Sequence, residues 1–397
     1  MEIRNSTRAL MASALALIAV VAANSPVGAS GAGWTITPVV SGLEGPRGVA
    51  FDGRGNLYVS ETGKYFNPID NVSFGVSRTG TVDRFRLSES GARLVWSTAF
   101  DSLYDSAHGG PEVLGPEGIT TFCPGTAAES CQVRMIESES RDGVNATNEG
   151  LHAPKLSFSQ IGHLYALNPE TGKPTDKSDV GDQQYAWTAA HASLWEEFPD
   201  SNPYGVLMTR DGKTGKPRTF VIDAGANTVL EIMNNGTARV IAFIPNDPIR
   251  DSTPTCAAVG PDGALYVGTL DLVANLFVFG PGQSHVYRVD PDTTEDFITA
   301  GTHVWASGLT TLTACTFDRS GNFWATEMFQ PNSAGPPGDL VRIPFGNPSV
   351  HQHVGGGSLP LPGGITPGIG GTLYVSVNSA NTAPGSGKVV RVAPAGD

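Results

Sequence analysis

The segment Gly48-Val-Ala-Phe-Asp-Gly-Arg-Gly-Asn-Leu-Tyr-Val-Ser-Glu61 carries the pattern from which we infer the architecture. It predicts a β-strand, a Gly/Asp turn and a second β-strand, because apolar and polar residues alternate with the strand period on both sides of the turn. The pattern recurs downstream, which indicates an internal repeat. Clear copies cover residues 257–269, 315–327 and 364–377, and more diverged copies begin at Glu117 and Tyr204.

A third alternating strand follows each copy, as in Thr81-Val-Asp-Arg-Phe-Arg-Leu87, and a fourth follows in most copies. Six four-stranded units in one chain are typical of a β-propeller. The sixth unit stops after its third strand, whereas residues 34–40 form a strand-like segment ahead of the first unit. We therefore expect an all-β, six-bladed propeller of four-stranded blades, closed by the N-terminal strand in the last blade, because an unpaired edge exposes backbone donors and acceptors.

The composition fits a turn-rich globular chain. Its 397 residues include 49 Gly and 29 Pro; 40% are hydrophobic and 16% are charged. The hydrophobic content excludes bulk disorder, and the low charge argues against a coiled coil. Because the formal net charge of -13 would be repelled by phosphates, we expect no nucleic-acid partner. We expect a monomer whose partner is a small molecule or a protein.

The N-terminus has the features of a secretory signal peptide. Arg4 and Arg8 precede an apolar run from Ala9 to Ala23, and small residues around Ala29 suit cleavage. This run is shorter than the ~20 residues that span a bilayer. We expect residues 1–29 to be a signal peptide and residues 30–397 to form the propeller domain, secreted or periplasmic and without a membrane span. An uncleaved N-terminal anchor is the alternative.

The four cysteines suit an oxidising compartment. Cys123 and Cys131 bracket a turn between two strand-like runs, so a local disulfide that closes this hairpin is the natural pairing. Cys256 and Cys315 remain, and they fall in corresponding strands of consecutive repeats. A zinc site is the competing interpretation, although the sequence lacks Cys-x-x-Cys spacing and a nearby His pair.

Residues 187–198 depart from the strand pattern. Trp187, Leu194 and Phe198 recur at helical spacing, and Pro199 follows them. We expect a short helix here, lying over one face of the ring between blades two and three.

One position at the end of the second strand is acidic in most units. Because second strands of a propeller end on one face, these carboxylates could ring the mouth of the central channel. There they would suit a polar ligand or a hard cation such as Ca²⁺. An acidic residue ahead of a Gly turn can instead accept backbone hydrogen bonds. The position holds Glu61, Glu137, Asp223 and Glu327, with Thr269 and Val377 in the other two units.

The beginning of each first strand meets the same mouth and brings Arg47, Glu117, Tyr204 and Thr255 there. Arg47 could orient an anionic or carbonyl substrate, or it could form a salt bridge at the rim. Glu117, after Gly-Pro, is similar to the channel glutamate of propeller lactonases, but no matching Asn-Asp set is evident. The predicted ligand-binding set is Arg47, Glu61, Glu117, Tyr204, Asp223 and Glu327.

The segment His351-Gln-His353 puts two imidazoles on one face of a strand. As a metal motif it lacks a third ligand, which favours an exposed surface. The sequence contains no Gly-x-Ser-x-Gly elbow, phosphate loop or dinucleotide fingerprint.

Three further segments, Asp200-Ser-Asn-Pro-Tyr-Gly205, Asp223-Ala-Gly-Ala-Asn227 and His285-Val-Tyr-Arg-Val-Asp-Pro291, resemble the ScyD/ScyE family of secreted, NHL-like propeller proteins. The resemblance covers nearly all of the mature chain. It implies an exported, six-bladed TolB-like ring with no established general reaction and a link to extracellular or periplasmic secondary metabolism. Family members often carry Glu where this chain has Thr269 and Asp where it has Ala314, and these departures weaken any catalytic assignment carried over from the family.

These observations favour an exported binding or accessory protein with a ligand at the channel mouth, and they leave open whether the chain is an enzyme. The alternative is a metal-dependent propeller hydrolase or lactonase with Glu61, Glu117, Asp223 and Glu327 as metal ligands. A quinone-dependent sugar dehydrogenase is a third hypothesis, but it would require a convergent His/Arg set that the sequence does not show.

Overall fold

A computed structural model describes most of the chain. Residues 1–32, which contain the predicted signal peptide, lie outside the described residues. The described ranges are 33–65, 73–89, 91–106, 112–123, 131–195, 197–246, 251–298, 301–330, 337–380 and 383–395. Their strands form six sheets arranged as the blades of a ring, which confirms the predicted six-bladed β-propeller. Each sheet has four main strands, and two sheets gain one short strand more.

The first strand in the chain, β1 (Trp34–Leu43), belongs to the last blade. Blade 1 contains β2 (Pro46–Phe51), β3 (Asn56–Glu61), β4 (Phe74–Ser88), β5 (Gly91–Asp105) and the short β6 (Glu112–Leu114). Blade 2 contains β7 (Pro116–Phe122), β8 (Gln132–Glu137), β9 (His163–Leu167) and β10 (Pro174–Asp179). Blade 3 contains β11 (Pro203–Arg210), β12 (Pro217–Asp223), β13 (Thr228–Ile232) and β14 (Ala238–Phe243).

Blade 4 contains β15 (Pro254–Val259), β16 (Leu265–Thr269), β17 (Ser284–Val289) and β19 (Val304–Leu309). The two-residue β18 (Asp296–Phe297) leaves this blade and pairs in parallel with β14 of blade 3. Blade 5 contains β20 (Leu312–Phe317), β21 (Asn322–Glu327), β22 (Gly338–Pro344) and β23 (Gln352–Leu359). Blade 6 contains β24 (Ile365–Pro367), β25 (Leu373–Val377) and β26 (Gly387–Pro394), followed by β1 as its outermost strand.

The ring closes as the sequence predicts. Strand β1 pairs antiparallel with β26, with Trp34 opposite Pro394 and Val40 opposite Val389. Ile36 is buried in the apolar cluster that fills blade 6 and its neighbour. The closing strand therefore contributes both ladder hydrogen bonds and apolar packing, which together cover the outer edge of the last sheet.

The innermost strands pack against each other through their backbones near the start of each strand. A Cβ atom on Gly48 would lie 2.5 Å from the Glu117 carbonyl oxygen, and one on Gly118 would lie 2.7 Å from the Tyr204 carbonyl oxygen. Glycine is required at these positions because any side chain would push neighbouring blades apart. The residue just before each glycine is thus fixed close to the next blade.

Both disulfides form as the sequence predicts. Cys123 and Cys131 join the two strands of a hairpin, and Cys256 joins Cys315 across the innermost strands of blades 4 and 5. All four sulfur atoms are paired, so the zinc interpretation is wrong.

The helices differ from the predicted one. Helix α1 (Arg141–Gly150) lies between β8 and β9 and was not predicted, because its Gly, Asn and Asp residues are weak helix formers. Helix α2 (Val180–Ala190) does lie between blades 2 and 3, but the predicted range of 187–198 is wrong. Asp179 caps its N-terminus. Hydrogen-bonded turns follow His191, and beyond them Phe198 is buried against Phe243. A short π-helix (Ala274–Val278) follows β16. Within the described ranges, no helix has the length and apolarity needed to cross a membrane.

Candidate functional site

The innermost strands begin, and the second strands end, on one face of the ring, which we call the upper face. The antiparallel register sets this arrangement, because it pairs the first residue of the innermost strand with the last residue of the second strand. The pairs are Pro46 with Glu61, Pro116 with Glu137, Pro203 with Asp223 and Leu312 with Glu327. The acidic residues at the ends of these second strands therefore do lie on one face of the ring.

Arg47, Glu117 and Tyr204 begin the innermost strands of three consecutive blades and interact with one another. Arg47 Nη2 donates to Glu112 Oε1 at 3.2 Å and to the Val113 carbonyl oxygen at 3.3 Å. Arg47 Nε lies 3.7 Å from Glu117 Oε2. We call Arg47, Glu112, Glu117 and Tyr204 the mouth cluster. Of its members, the sequence missed only Glu112, which lies in the short extra strand of blade 1.

Burial controls protonation in the mouth cluster. It raises the pKa of Glu117 to about 8, although the nearby Arg47 charge opposes this shift. Burial also raises the pKa of Tyr204 to about 12, with the Glu117 charge adding to the effect. For Arg47, burial alone would lower the pKa, but the charges of Glu117, Tyr204 and Glu112 raise it overall. At neutral pH the cluster thus holds a charged guanidinium beside a largely protonated Glu117.

Glu137 lies beside this cluster and is fully buried. Neither of its carboxyl oxygens has a hydrogen-bond partner within the described residues, and the same is true of Glu117. Burial raises the pKa of Glu137 well above its usual range, and the charges of Asp101 and Glu117 raise it further. Glu139, two residues on, also has a pKa well above normal because of burial and the nearby Asp200. Sequence reasoning missed Glu139, although an acidic residue two positions after the end of a second strand was a usable signal.

Two other predicted residues organise the loops of the upper face. Glu61 accepts hydrogen bonds from the Glu44 amide at 2.5 Å and the Thr81 hydroxyl at 3.3 Å. Burial raises the pKa of Glu61 to about 8. The sequence left two roles open for Glu61, namely ligand binding and the ordering of a turn. These hydrogen bonds match the second role.

Asp223 has a similar role in blade 3. It accepts from the Ser201 hydroxyl at 2.7 Å and from the Asn202 and Ala226 amides at 2.8 and 2.9 Å. Burial raises its pKa to about 6, which these three hydrogen bonds oppose. Asp223 thereby fixes the segment that leads into Tyr204.

Glu327 lies in blade 5, where it meets a histidine. Its Oε1 accepts from the Thr310 amide at 2.8 Å, and its Oε2 lies 3.2 Å from His353 Nδ1. Asp339 Oδ2 is 3.8 Å from the same nitrogen. His353 lies at the surface, as the sequence predicts, with about one-third of its side chain exposed, and it belongs to this Glu-His-Asp group. His351 is separate and contacts the Pro348 carbonyl oxygen.

The predicted metal ligands do not gather at one point. Among the residues that the structure describes, no three His, Cys, Asp or Glu side chains form a group that could hold a metal ion. Thr269, which occupies the aligned position in blade 4, hydrogen-bonds to Asp271 at 2.5 Å. The calcium site that the sequence allowed is therefore an alternative for a titration to test, and we derive no chemical step from it.

Comparison with known proteins supports the fold and goes no further. No family model matches the chain, and no curated protein matches it. A glucose dehydrogenase structure is 13% identical with a TM-score of 0.52, covering 91% of this chain and 100% of that chain. This chain shares its propeller fold. At that identity the likeness transfers no catalytic residues to this chain.

Two other propeller structures show a similar extent of overlap. A streptogramin B lyase is 14% identical with a TM-score of 0.46, covering 91% of this chain and 98% of that chain. A gluconolactonase from Xanthomonas campestris is 11% identical with a TM-score of 0.48, covering 94% of this chain and 95% of that chain.

Proposed function

We propose that this chain is an exported binding or accessory protein of the ScyD/ScyE type that takes a small organic amine at the mouth cluster. The observation that carries the proposal is the meeting of Arg47, Glu117 and Tyr204 from three consecutive blades. A rigid ring holds these residues in place, which reduces the entropy lost when a ligand binds. The paired cysteines are consistent with an oxidising compartment outside the cytoplasm.

The balance of donors and acceptors favours an amine. Arg47 already donates to Glu112 and to the Val113 carbonyl oxygen. Glu117 and Glu137, in contrast, present carboxyl oxygens that accept no hydrogen bond from any described residue. An ammonium group brings three donors and a positive charge, so it would satisfy these oxygens and favour their ionised form. Tyr204 and Glu112 are the more exposed members of the cluster, so a ligand would approach past them.

Thermal unfolding with three probes tests this proposal. Putrescine represents a small amine, glucose a neutral polyol and gluconate an anion. We expect putrescine alone to raise the melting temperature of the mature protein saturably. Glu117→Gln should weaken its binding by about tenfold, because a charge-assisted hydrogen bond is lost. Glu89→Gln is the matched control, since Glu89 is exposed and distant from the cluster in the sequence, and it should bind putrescine normally. Stabilisation by gluconate instead, or putrescine binding that survives Glu117→Gln, would contradict the proposal.

A further inference from the structure

His163, the first residue of β9, lies between two carboxylates of β10. Its Nδ1 is 2.9 Å from Asp176 Oδ2 and its Nε2 is 3.5 Å from Asp179 Oδ2. The imidazole is 10% exposed, whereas Asp176 is 53% exposed. A protonated imidazole has a donor on each nitrogen and can serve both carboxylates, but a neutral one can donate to only one of them.

Asp179 also holds the N-termini of both helices. It caps α2 by accepting from the Asp182 amide at 3.2 Å, and it pairs with Arg141, the first residue of α1. Arg141 Nη2 reaches Asp182 Oδ2 as well, at 2.9 Å. Ser140, the N-cap of α1, donates to Asp182 Oδ1 at 2.8 Å. One cluster of carboxylates therefore anchors α1, α2 and the imidazole together.

This anchor is connected to the mouth cluster at the start of α2. The Val180 and Gly181 amides donate to the Gly162 carbonyl oxygen at 3.0 and 2.9 Å, directly before His163 in the chain. The Gly162 amide in turn donates to the Ser138 carbonyl oxygen at 3.0 Å, and Ser138 follows Glu137. Two backbone hydrogen bonds in series thus connect the start of α2 with Ser138, the residue that follows the buried Glu137.

A second connection runs from the other end of α2. The Thr188 hydroxyl donates to the Asp200 carbonyl oxygen at 2.8 Å, and the Asp200 amide donates back to that hydroxyl at 3.0 Å. Ser201 and Asn202 then bind Asp223, and Tyr204 follows two residues later. Movement of α2 would therefore shift the segment that carries Tyr204.

We propose that the protonated side chain of His163 locks α1 and α2 onto the upper face, and that its deprotonation loosens both helices and the Tyr204 side of the mouth cluster. This inference rests on the proposed function, because it assigns control of the same ligand site. By holding the Tyr204 segment in place, the lock controls how readily a ligand reaches Glu117 and Glu137, both of which are buried.

The charges around His163 set the pH range of the lock. Burial alone would lower the pKa of His163, but its close contacts with Asp179 and Asp176 and their negative charges raise it overall. Because the pKa of His163 is raised in the folded state, its protonated form stabilises the lock fully below the ordinary histidine pKa. This stabilisation is lost as the pH rises through the raised pKa of His163. Burial alone would raise the pKa of Asp179, yet His163 and Arg141 lower it overall. The stabilisation of the lock by ionised Asp179 is present above the ordinary aspartate pKa. It is lost as the pH falls through the lowered pKa of Asp179.

The lock is consequently strongest between these two transitions. The ion pair between Arg141 and Asp182 does not involve His163 and keeps part of the anchor, so we expect the helices to loosen rather than unfold. Tyr165, which stacks on His163 with ring centroids 6.2 Å apart, stays neutral in this range because burial raises its pKa.

Amide hydrogen exchange of the mature protein without ligand tests the lock. After correction for intrinsic exchange rates, protection of residues 141–150, 180–190 and 201–206 should fall severalfold as the pH rises through the His163 transition. Protection of β12 and β13 should stay constant. His163→Gln should leave the three segments weakly protected at every pH. His303→Gln is the matched control, because His303 also faces an aspartate, Asp296, at 3.6 Å but lies in blade 4; it should retain the wild-type pH response.

A second variant covers the case in which His163→Gln does not fold. Asp176→Asn removes only the exposed partner and should move the midpoint of the transition to lower pH. Protection that does not change with pH in the wild type, or a pH response that persists in His163→Gln, would overturn the lock. Because this measurement uses no ligand, it is independent of the putrescine test: an intact lock without putrescine binding would refute the proposed function alone.

Discussion

The hydroxyl group of Ser376 in blade 6 donates a hydrogen bond to the carbonyl oxygen of Arg47 in blade 1, over 3.0 Å and across 329 residues of sequence. The same hydroxyl accepts from the Gly364 amide at 2.8 Å. Thr326 makes the corresponding bridge from blade 5 to Gly363 at 2.8 Å, and Ser60 bridges blade 1 to the Glu117 carbonyl oxygen. A hydroxyl near the end of the second strand thus joins consecutive innermost strands on one side of the ring, and two of these bridges hold the backbone of mouth-cluster residues.

Removing one bridge should weaken the ring measurably. Ser376→Ala leaves the buried Arg47 carbonyl oxygen with one hydrogen bond fewer, which we expect to lower the free energy of unfolding by about 1–2 kcal/mol. Urea denaturation measures this change. Ser349→Ala, on an exposed turn, should leave stability unchanged. Equal midpoints for Ser376→Ala and the wild type would show that the bridge contributes little.

The closing strand is expected to be necessary for folding. Deleting residues 34–40 would remove most of β1 and expose β26 as an unpaired edge, so the protein should aggregate or fail to fold. Size-exclusion chromatography and circular dichroism can report either outcome. A milder test is Ile36→Ala, which should cost about 2–4 kcal/mol because Ile36 packs among Val390 and Val392. Thr37→Ala, one residue away on the exposed side, should cost little. A monomeric, fully stable deletion variant would disprove closure by β1.

The two disulfides should differ in their contributions to stability. Cys256 and Cys315 are 59 residues apart in the chain, whereas Cys123 and Cys131 are 8 apart. Closing the longer loop removes more entropy from the unfolded chain, so the Cys256–Cys315 bridge should stabilise the protein by about 2 kcal/mol more than the local bridge does. Guanidinium denaturation of the two double Cys→Ala variants tests this ranking. A larger loss from removing Cys123 and Cys131 would contradict the loop-entropy explanation.

The architecture could be predicted from the sequence because the same strand-turn-strand pattern recurs in each repeat. Three of the four clear copies of the strand-turn-strand pattern have a Gly/Asp turn and the fourth has a Gly-rich turn, and local alternation gives the strand period at each one. The helices lack such repetition. Helix α2 depends on its Asp179 cap and on packing against blade 3, whereas the aromatic residues of 187–198 only imitate helical spacing before the chain turns. Periodicity alone could not separate these cases.

Only those residues of the candidate site that occupy equivalent positions in successive blades could be predicted from the sequence. Register puts Arg47, Glu117 and Tyr204 on one face, so their proximity follows from the fold. His353 meets Glu327 because β23 folds back beside β22, and Glu112 reaches Arg47 from β6, a short extra strand beside β5. Such contacts depend on loop paths, for which one sequence carries no repeated signal.

Calcium offers a direct test of the metal-dependent hydrolase or lactonase alternative. Glu61 and Asp223 already accept hydrogen bonds from nearby loops, and the described residues contain no group suited to a metal. We therefore expect calcium to shift the melting temperature little, and elemental analysis to find no stoichiometric metal. A large, saturable stabilisation would favour the alternative instead. If Glu61→Gln abolished that stabilisation, Glu61 would be assigned as a ligand.

Glu117 should make the protein less stable in alkaline solution. Its pKa is raised by burial to about 8 in the folded state, whereas an unfolded glutamate titrates near pH 4.3. Between these values the folded state binds more protons than the unfolded one. The contribution of protonated Glu117 to stability is therefore fully present below the unfolded pKa and is lost as the pH rises through the folded pKa. Glu117→Gln mimics the protonated acid and should reduce this loss.

Urea denaturation at several pH values, from about 5 to 9, measures the effect. Relative to the wild type, Glu117→Gln should gain stability progressively toward the alkaline end. Glu61, whose pKa is also about 8, should leave a residual slope, which Glu61→Gln would then diminish. The exposed carboxylate control Glu89→Gln should follow the wild-type curve throughout. Parallel curves for Glu117→Gln and the wild type would mean that Glu117 ionises normally in the folded protein, and the protonated acid beside Arg47 would have to be abandoned.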